Sequence, residues 1–497
     1  MSRSALFKVL VGIAAVVLAL PAVAAGEPRT GSIRQVGHEA LMSRGMNAAI
    51  AVHGDYAYIG SRTDGSHVGQ PQGGIMVVDI SRPRRPELLT ETPIDANPGE
   101  SSRELRVWRS QDILIVLNTN CGAGDRLHHC SETVPEARNF RFYDISGDNA
   151  AEPRLITEMQ EHTHEFFLWE DPNNPERALM FGGNAGSSCG EHPTPSCPFA
   201  VWDISGVPEG GDPVTLYSDM HGYTRIPPEG EPLLKPSGGL HSLSVSNDGT
   251  RAFFALLTGG FAVVDTSDFA NGTMSPMPRP ITFNETRPSW RGPGAHSAIK
   301  LWGRDWAWVS DEVYGTQTGT GHGCPWGWAR LIDITDPRKP TVEAAYRIPE
   351  NDPDICAEFN PPRTSYSAHN PTLTPSIAFS TWHSGGLQAV SITKPWQPYQ
   401  LAEFFPRPLR EVMLEDPRLS SDPDTGRNEK VVMWSYPIIK DGLIYVVDLR
   451  NGLYVLDYNG RFEREVERIG FLEGNSNQGD ALCFEPVGTA PSYCDDD

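Results

Sequence analysis

Apolar and polar positions along this chain alternate at period two in short runs, and Gly, Pro, Asn and Asp interrupt the runs at close intervals. One run recurs: an apolar strand that ends in Asp and a short turn. It reads Ile75-Met-Val-Val-Asp-Ile-Ser81, Phe140-Arg-Phe-Tyr-Asp-Ile-Ser146, Phe199-Ala-Val-Trp-Asp-Ile-Ser205, Phe261-Ala-Val-Val-Asp-Thr-Ser267 and Ala329-Arg-Leu-Ile-Asp-Ile-Thr335. Two looser copies, Leu387–Thr393 and Leu453–Asn459, bring the number to seven. Upstream of each copy lie two further apolar strands, as in Ala48-Ala-Ile-Ala-Val52 and Tyr56-Ala-Tyr-Ile59. Downstream come a Pro-bearing turn and a fourth strand, as in Pro340–Ile348. No helical period separates the units.

Four strands per unit, repeated seven times, predict an all-β fold: a seven-bladed β-propeller with four-stranded antiparallel blades over residues 46–475. A single blade cannot bury both of its faces, so the units must pack side by side and close radially. The Asp that ends each repeated strand is expected to bond turn amides and to carry no chemistry. Residues 26–45 read as a lead-in, and Ser32–Leu41 is either an extra outer strand or a loose approach to the ring. The last blade is expected to own four strands of its own, Glu465–Phe471 among them, and 476–497 reads as a C-terminal tail with a Cys pair.

These repeats resemble the LVIVD repeat of bacterial exported β-propellers, carried by strings such as Ile-Met-Val-Val-Asp-Ile-Ser and Ala-Arg-Leu-Ile-Asp-Ile-Thr-Asp-Pro. The resemblance covers essentially all of the chain after its first 25 residues, and it implies a fold without implying an activity. The sixth and seventh copies depart from the pattern, with Ser391 and Tyr458 near the turn.

Residues 1–25 have the layout of a cleaved signal peptide: basic Arg3 and Lys8, an apolar Val9–Leu20, and Ala22-Val23-Ala24 as a cleavage site. The apolar run is short for a membrane span, so the mature chain is expected in the periplasm or the medium. Eight Cys fit an oxidising compartment, and nearest neighbours pair as Cys121–Cys130, Cys189–Cys197, Cys324–Cys356 and Cys483–Cys494. A net charge of −22 argues against nucleic acid and anionic membranes as partners.

Blade topology places the links that enter the inner strands at the same end as the turns between strands two and three. The long insertions fall there: 61–73, 118–139, 182–198, 221–240, 310–328, 351–367 and 406–429. The opposite face is expected to be bare.

Aligning the residue that opens each innermost strand gives Asn47, Glu104, His164, His241, His296, His369 and Ser435. The chain has 14 His, and four of them fall in this one column. Inner strands line the central channel, so His164, His241, His296 and His369 converge on its mouth. Neutral imidazole suits Fe, Cu and Zn. Glu104, in the same column, is a candidate catalytic base, ligand or acceptor behind a ligand. Strand alternation points Glu165 away from the column, while His162 and His383 lie on the same face.

The arrangement is similar at the level of the site to carotenoid-cleaving oxygenases, which hold iron with four His on a seven-bladed propeller. It is also similar to the propeller selenium-binding proteins that oxidise methanethiol. The likeness implies a metal-dependent oxidoreductase or lyase acting on a small organic substrate. The competing reading is a non-catalytic scaffold whose loop face binds a protein or glycan, the imidazoles merely capping inner strands. Asn271-Gly-Thr and Asn284-Glu-Thr fit the glycosylation pattern, but with a bacterial signal they carry no expectation of a glycan.

Overall fold

The computed structural model describes residues 31–65, 73–89, 93–120, 138–161, 163–183, 199–218, 239–257, 259–283, 285–290, 294–312, 326–352, 354, 356, 365–416, 430–488, 490 and 492–494. The proposed signal peptide, five of the eight Cys (121, 130, 189, 197 and 324) and His162 lie outside these residues.

The strands form seven sheets. Six are four-stranded and antiparallel, each built from strands consecutive in the chain, so the structure is a seven-bladed β-propeller. Blade 1 runs inside to outside as Asn47–His53, Tyr56–Ser61, Met76–Asp79 and Glu87–Leu88. The innermost strands of blades 2 to 6 are Glu100–Trp108, Glu165–Asp171, Ser242–Val245, Gly294–Lys300 and Ala368–Leu373, and Ile438–Lys440 takes the equivalent place in blade 7.

The repeated Asp explains why each blade turns where it does. In the first five blades the carboxylate accepts the amide two residues on: Asp79 from Ser81, Asp144 from Ser146, Asp203 from Ser205, Asp265 from Ser267 and Asp333 from Thr335, all at 2.8–2.9 Å. The following residue is buried and turns its own amide back to the hairpin before it, as Ile80 does to Asp55 and Ile334 to Asp305. Ser391 stands in for Asp in blade 6 and meets Thr393 at 3.2 Å. In blade 7 Asp457 is paired with Arg34 at 2.8 Å instead.

Apolar alternation then packs the blades together, with one buried cluster between each neighbouring pair. Leu105, Val107 and Val77 join blades 1 and 2; Phe140, Phe166 and Trp202 join blades 2 and 3; Phe199 and Phe254 join blades 3 and 4. The ring closes where Ile50, Val52 and Ile59 of blade 1 meet Tyr445, Val447 and Val455 of blade 7.

The termini differ from the expected closure. Ser32–Glu39 pairs with Gly452–Asn459 from Ser32↔Asn459 to Glu39↔Leu453, and so supplies the outer strand of blade 7. Glu465–Phe471 is not that strand. Glu463–Glu467 is a short helix, and Phe471–Leu472 adds on the inner side, beside Ile438–Lys440. The N-terminal strand already occupies the outer edge, so the C-terminal segment turns inward.

From there it crosses the far end of the channel, and the face opposite the insertions is not bare. The Leu168 amide donates to Asn475 O; Asn477 exchanges two bonds with the Glu170 backbone; Gln478 bonds the Val107 carbonyl and the Arg109 amide. Asn247 bonds the carbonyls of Ala481 and Glu485, and Lys300 pairs with Glu485 at 2.6 Å. This strap ties blades 2, 3, 4 and 5 together. It ends in the Cys483–Cys494 disulfide. Cys356 is buried and also disulfide-bonded.

Candidate metal centre

The innermost strands begin at the insertion-bearing face, and most carry an irregularity at the residues in question. Register shifts fall between Asn47 and Ile50, Ser102 and Glu104, Ala295 and Ser297, and Ala368 and Pro371. A bulge re-aims side chains locally. Here it turns His296 and His369 toward the axis. His164 and His241 stand one residue ahead of their strands.

The four rings make a row across blades 3 to 6. Centroids are 4.3 Å apart from His164 to His241, 3.9 Å from His241 to His296 and 4.2 Å from His296 to His369. A fifth ring, His383, follows the second strand of blade 6 and lies 4.8 Å from His369. Trp434 closes the row, 4.2 Å from His369 and stacked on His383, with the Arg62 guanidinium over its ring at 4.3 Å from the centroid.

Two carboxylates enter the row. Glu312 ends the second strand of blade 5 and is only 7 % exposed. Its Oε2 is 3.5 Å from His296 Nε2 and 4.0 Å from His241 Nε2; its Oε1 is 3.3 Å from His369 Nε2 and 3.5 Å from His383 Nε2. Glu165 Oε1 is 3.4 Å from His296 Nε2 and 3.9 Å from His241 Nδ1. These spacings exceed the 2.7–2.9 Å typical of a charge-assisted hydrogen bond. They match the roughly 3.4 Å between two ligands that share a tetrahedral ion at about 2.1 Å.

Ring orientation is set from behind. His369 Nδ1 donates to Trp434 O at 2.7 Å, leaving the Nε2 lone pair aimed into the row. His296 Nδ1 donates to Ser297 Oγ at 2.6 Å, and that hydroxyl donates onward to Asn370 Oδ1 at 3.0 Å. A metal-binding imidazole needs this kind of support. His164 differs: Arg103 donates to its Nε2 at 2.8 Å, so the neutral ring carries its proton on Nδ1.

Burial sets the charge state. It lowers His241 and His383 to about 3, and lowers His164 and His296 well below the ordinary histidine value, so these imidazoles are neutral at pH 7. Burial, then the nearby Glu104, pushes Glu165 well above the carboxylate range. Burial also opposes ionisation of Glu312, but His296 and His369 outweigh it and hold that carboxyl well below its ordinary value. A carboxylate among neutral imidazoles is a site for a cation. Three overlapping groups of possible ligands result: His164 with Glu165 and His241; His241 with His296 and Glu312; and Glu312 with His369 and His383.

Residues 44–91, which hold blade 1, match the family model of the LVIVD repeat. That segment of the chain is similar to the LVIVD repeat. No curated protein matches its sequence. Among solved structures it is similar to Chaetomium thermophilum Sqt1, at 14 % identity over 84 % of this chain and 86 % of that one, with a TM-score of 0.43. The same protein bound to the N-terminus of ribosomal protein L10 gives 14 %, 84 %, 89 % and 0.42. Likeness at this level bears on neither partner nor activity.

The propeller thus brings His164, His241, His296 and His369 into one row at the channel mouth. Glu104 sits deeper, with Arg106 donating to its Oε2 at 3.1 Å, and belongs to none of the three ligand groups. Glu165 points into the row because His164 precedes the strand, so alternation between the two does not apply. Sequence reasoning missed Glu312. The signal lay in the ends of the second strands, where Glu312 and the Trp382-His383 pair occupy corresponding places opposite Gly294 and Ala368. Among the described residues, no helix is long and apolar enough to cross a membrane.

Proposed function

We propose that this LVIVD propeller is an exported metal-dependent enzyme, an oxidoreductase or lyase that works on a small organic molecule at the channel mouth. One observation carries the reading: neutral imidazoles and two carboxyl groups, Glu312 ionised, converge with donor atoms 3.3–4.0 Å apart, too far for strong hydrogen bonds and right for ligands of a common ion. Nitrogen and carboxylate donors suit Fe, Cu or Zn. Such an ion with an open position polarises a bound carbonyl, activates water, or, if redox-active, engages oxygen.

The chain's own residues supply the rest. Ser297 and the Trp434 carbonyl hold His296 and His369 in the ligating tautomer. Arg103 fixes His164 at the edge of the row. The strap formed by 471–485 closes the opposite end, so a small molecule reaches the row from the insertion-bearing face. Disulfide bonding of Cys483–Cys494 and of Cys356, together with the signal-like first 25 residues, supports export.

Metal analysis of the purified full chain tests the reading. At least one equivalent of Fe, Cu or Zn per chain is expected, and less when His241 and His296 are both changed to Ala. Protein that stays metal-free after incubation with each of these ions overturns it and favours the scaffold alternative.

A further inference from the structure

The two oxygens of Glu312 face different histidine pairs. Oε2 lies between His241 and His296 of blades 4 and 5, whereas Oε1 lies between His369 and His383 of blade 6. The donor atoms divide in the same way: His241, His296 and Glu312 form one group of close ligand atoms, Glu312, His369 and His383 another, and no group contains both His241 and His369.

We propose that the centre binds two transition-metal ions, with Glu312 as the bridging carboxylate. One ion takes His241, His296 and Glu312 Oε2; the other takes His369, His383 and Glu312 Oε1. The proposal rests on the reading above that the row binds metal, and it specifies how.

The supporting shell is divided in the same way. Ser297 and Asn370 set His296 on the first ion, while the Trp434 carbonyl sets His369 on the second. Each ion then has two imidazoles and at least one carboxylate oxygen, leaving positions for water or substrate. Two ions held together in this way form a clamp across a small substrate, a device single-ion sites lack. His164, with Nε2 engaged by Arg103, stays outside both shells.

Stoichiometry separates the outcomes. Metal-depleted full chain is reconstituted with Zn²⁺, freed of excess ion and assayed for metal per folded chain. Two ions per chain are expected. The His369→Ala/His383→Ala and His241→Ala/His296→Ala variants are each expected to retain about one. Reconstitution with Cu²⁺ provides a second readout: a spin-coupled electron paramagnetic resonance spectrum in the unaltered protein, converted to that of isolated Cu²⁺ by Glu312→Gln. One ion in the unaltered chain overturns the bridged pair while leaving a mononuclear enzyme standing. No ion overturns both readings. Two ions with coupling unchanged in folded Glu312→Gln overturns the bridge.

Discussion

At the level of the channel mouth the ring divides into two arcs that use the same structural positions differently. In blades 7, 1 and 2 most of the polar groups at these positions bond one another. Asn47 accepts from Arg44 and donates to Leu449 O; Arg44 also bonds the carbonyls of Gly60 and Gly74; Ser435 Oγ accepts the Val447 amide; Glu104 holds Arg106. In blades 3 to 6 the corresponding positions carry imidazoles; His296 and His369 are anchored through Nδ1 and face carboxyl oxygens through Nε2 at 3.3–3.5 Å, longer than a strong hydrogen bond. Buried polar groups are normally bonded, and leaving them otherwise is costly. The first arc is therefore a structural seal, and the second is built to receive a ligand.

The largest expected difference between the arcs is in their response to acid. His241 and His383 sit at about 3 in the folded chain, against about 6.5 when unfolded. Below pH 6.5 the unfolded chain binds protons that the metal-free native chain refuses. Native stability is therefore lost as pH falls from 6.5 toward 3. Each group contributes about 1.4 kcal/mol per pH unit, so the pair costs roughly 5 kcal/mol between pH 6.5 and 4.5. Thermal melts of metal-depleted protein across this range check it, and His241→Asn should flatten the slope. A slope unchanged in that variant would place the acid sensitivity outside the histidine arc.

In the sealed arc the largest effect belongs to Arg44, whose guanidinium is buried and held down to about 9 by that burial. Arg44→Met removes the donor to Asn47, Gly60 and Gly74 and leaves several buried acceptors bare, at a cost of about 3 kcal/mol. Denaturant unfolding is expected to show that loss, with metal content per folded chain unchanged. A variant that folds normally and loses metal would join the two arcs into one functional unit.

Two serines make a finer contrast. Ser297 orients His296, whereas Ser435 accepts a hairpin amide. Ser297→Ala is expected to weaken metal binding 10- to 100-fold with little change in melting. Ser435→Ala is expected to cost about 1 kcal/mol in stability and leave metal affinity alone. Equilibrium competition with a chelator measures the first, and unfolding measures the second.

The two arcs also explain what could be read from the chain before its structure. Seven blades were legible because the repeats share a local solution: alternation throughout and, in five of them, a carboxylate to hold the turn with a buried residue after it. The histidine row was legible because its members occupy equivalent starts of inner strands. Glu312 and Glu165 were not, since their aim depends on where a strand begins and on a register shift beside His296, and neither is a pattern of residue types. Closure was hidden for a similar reason. Either terminus can supply an outer strand, and only the pairing of Ser32–Glu39 with blade 7 decides that the C-terminal segment turns inward to seal the channel.

The smallest expected effect concerns the feature that made the blades visible. Asp333 Oδ1 accepts the Thr335 amide at 2.8 Å on an exposed turn, far from either arc. Asp333→Ala removes one turn bond that water partly replaces, so a loss of about 0.5–1 kcal/mol is expected. Asp333→Asn keeps a carbonyl oxygen in the same place and should recover most of it. Metal content should be unaffected in both. If Asn were no better than Ala, the repeated Asp would act through its charge rather than as a turn acceptor, and its recurrence in five blades would need a different cause.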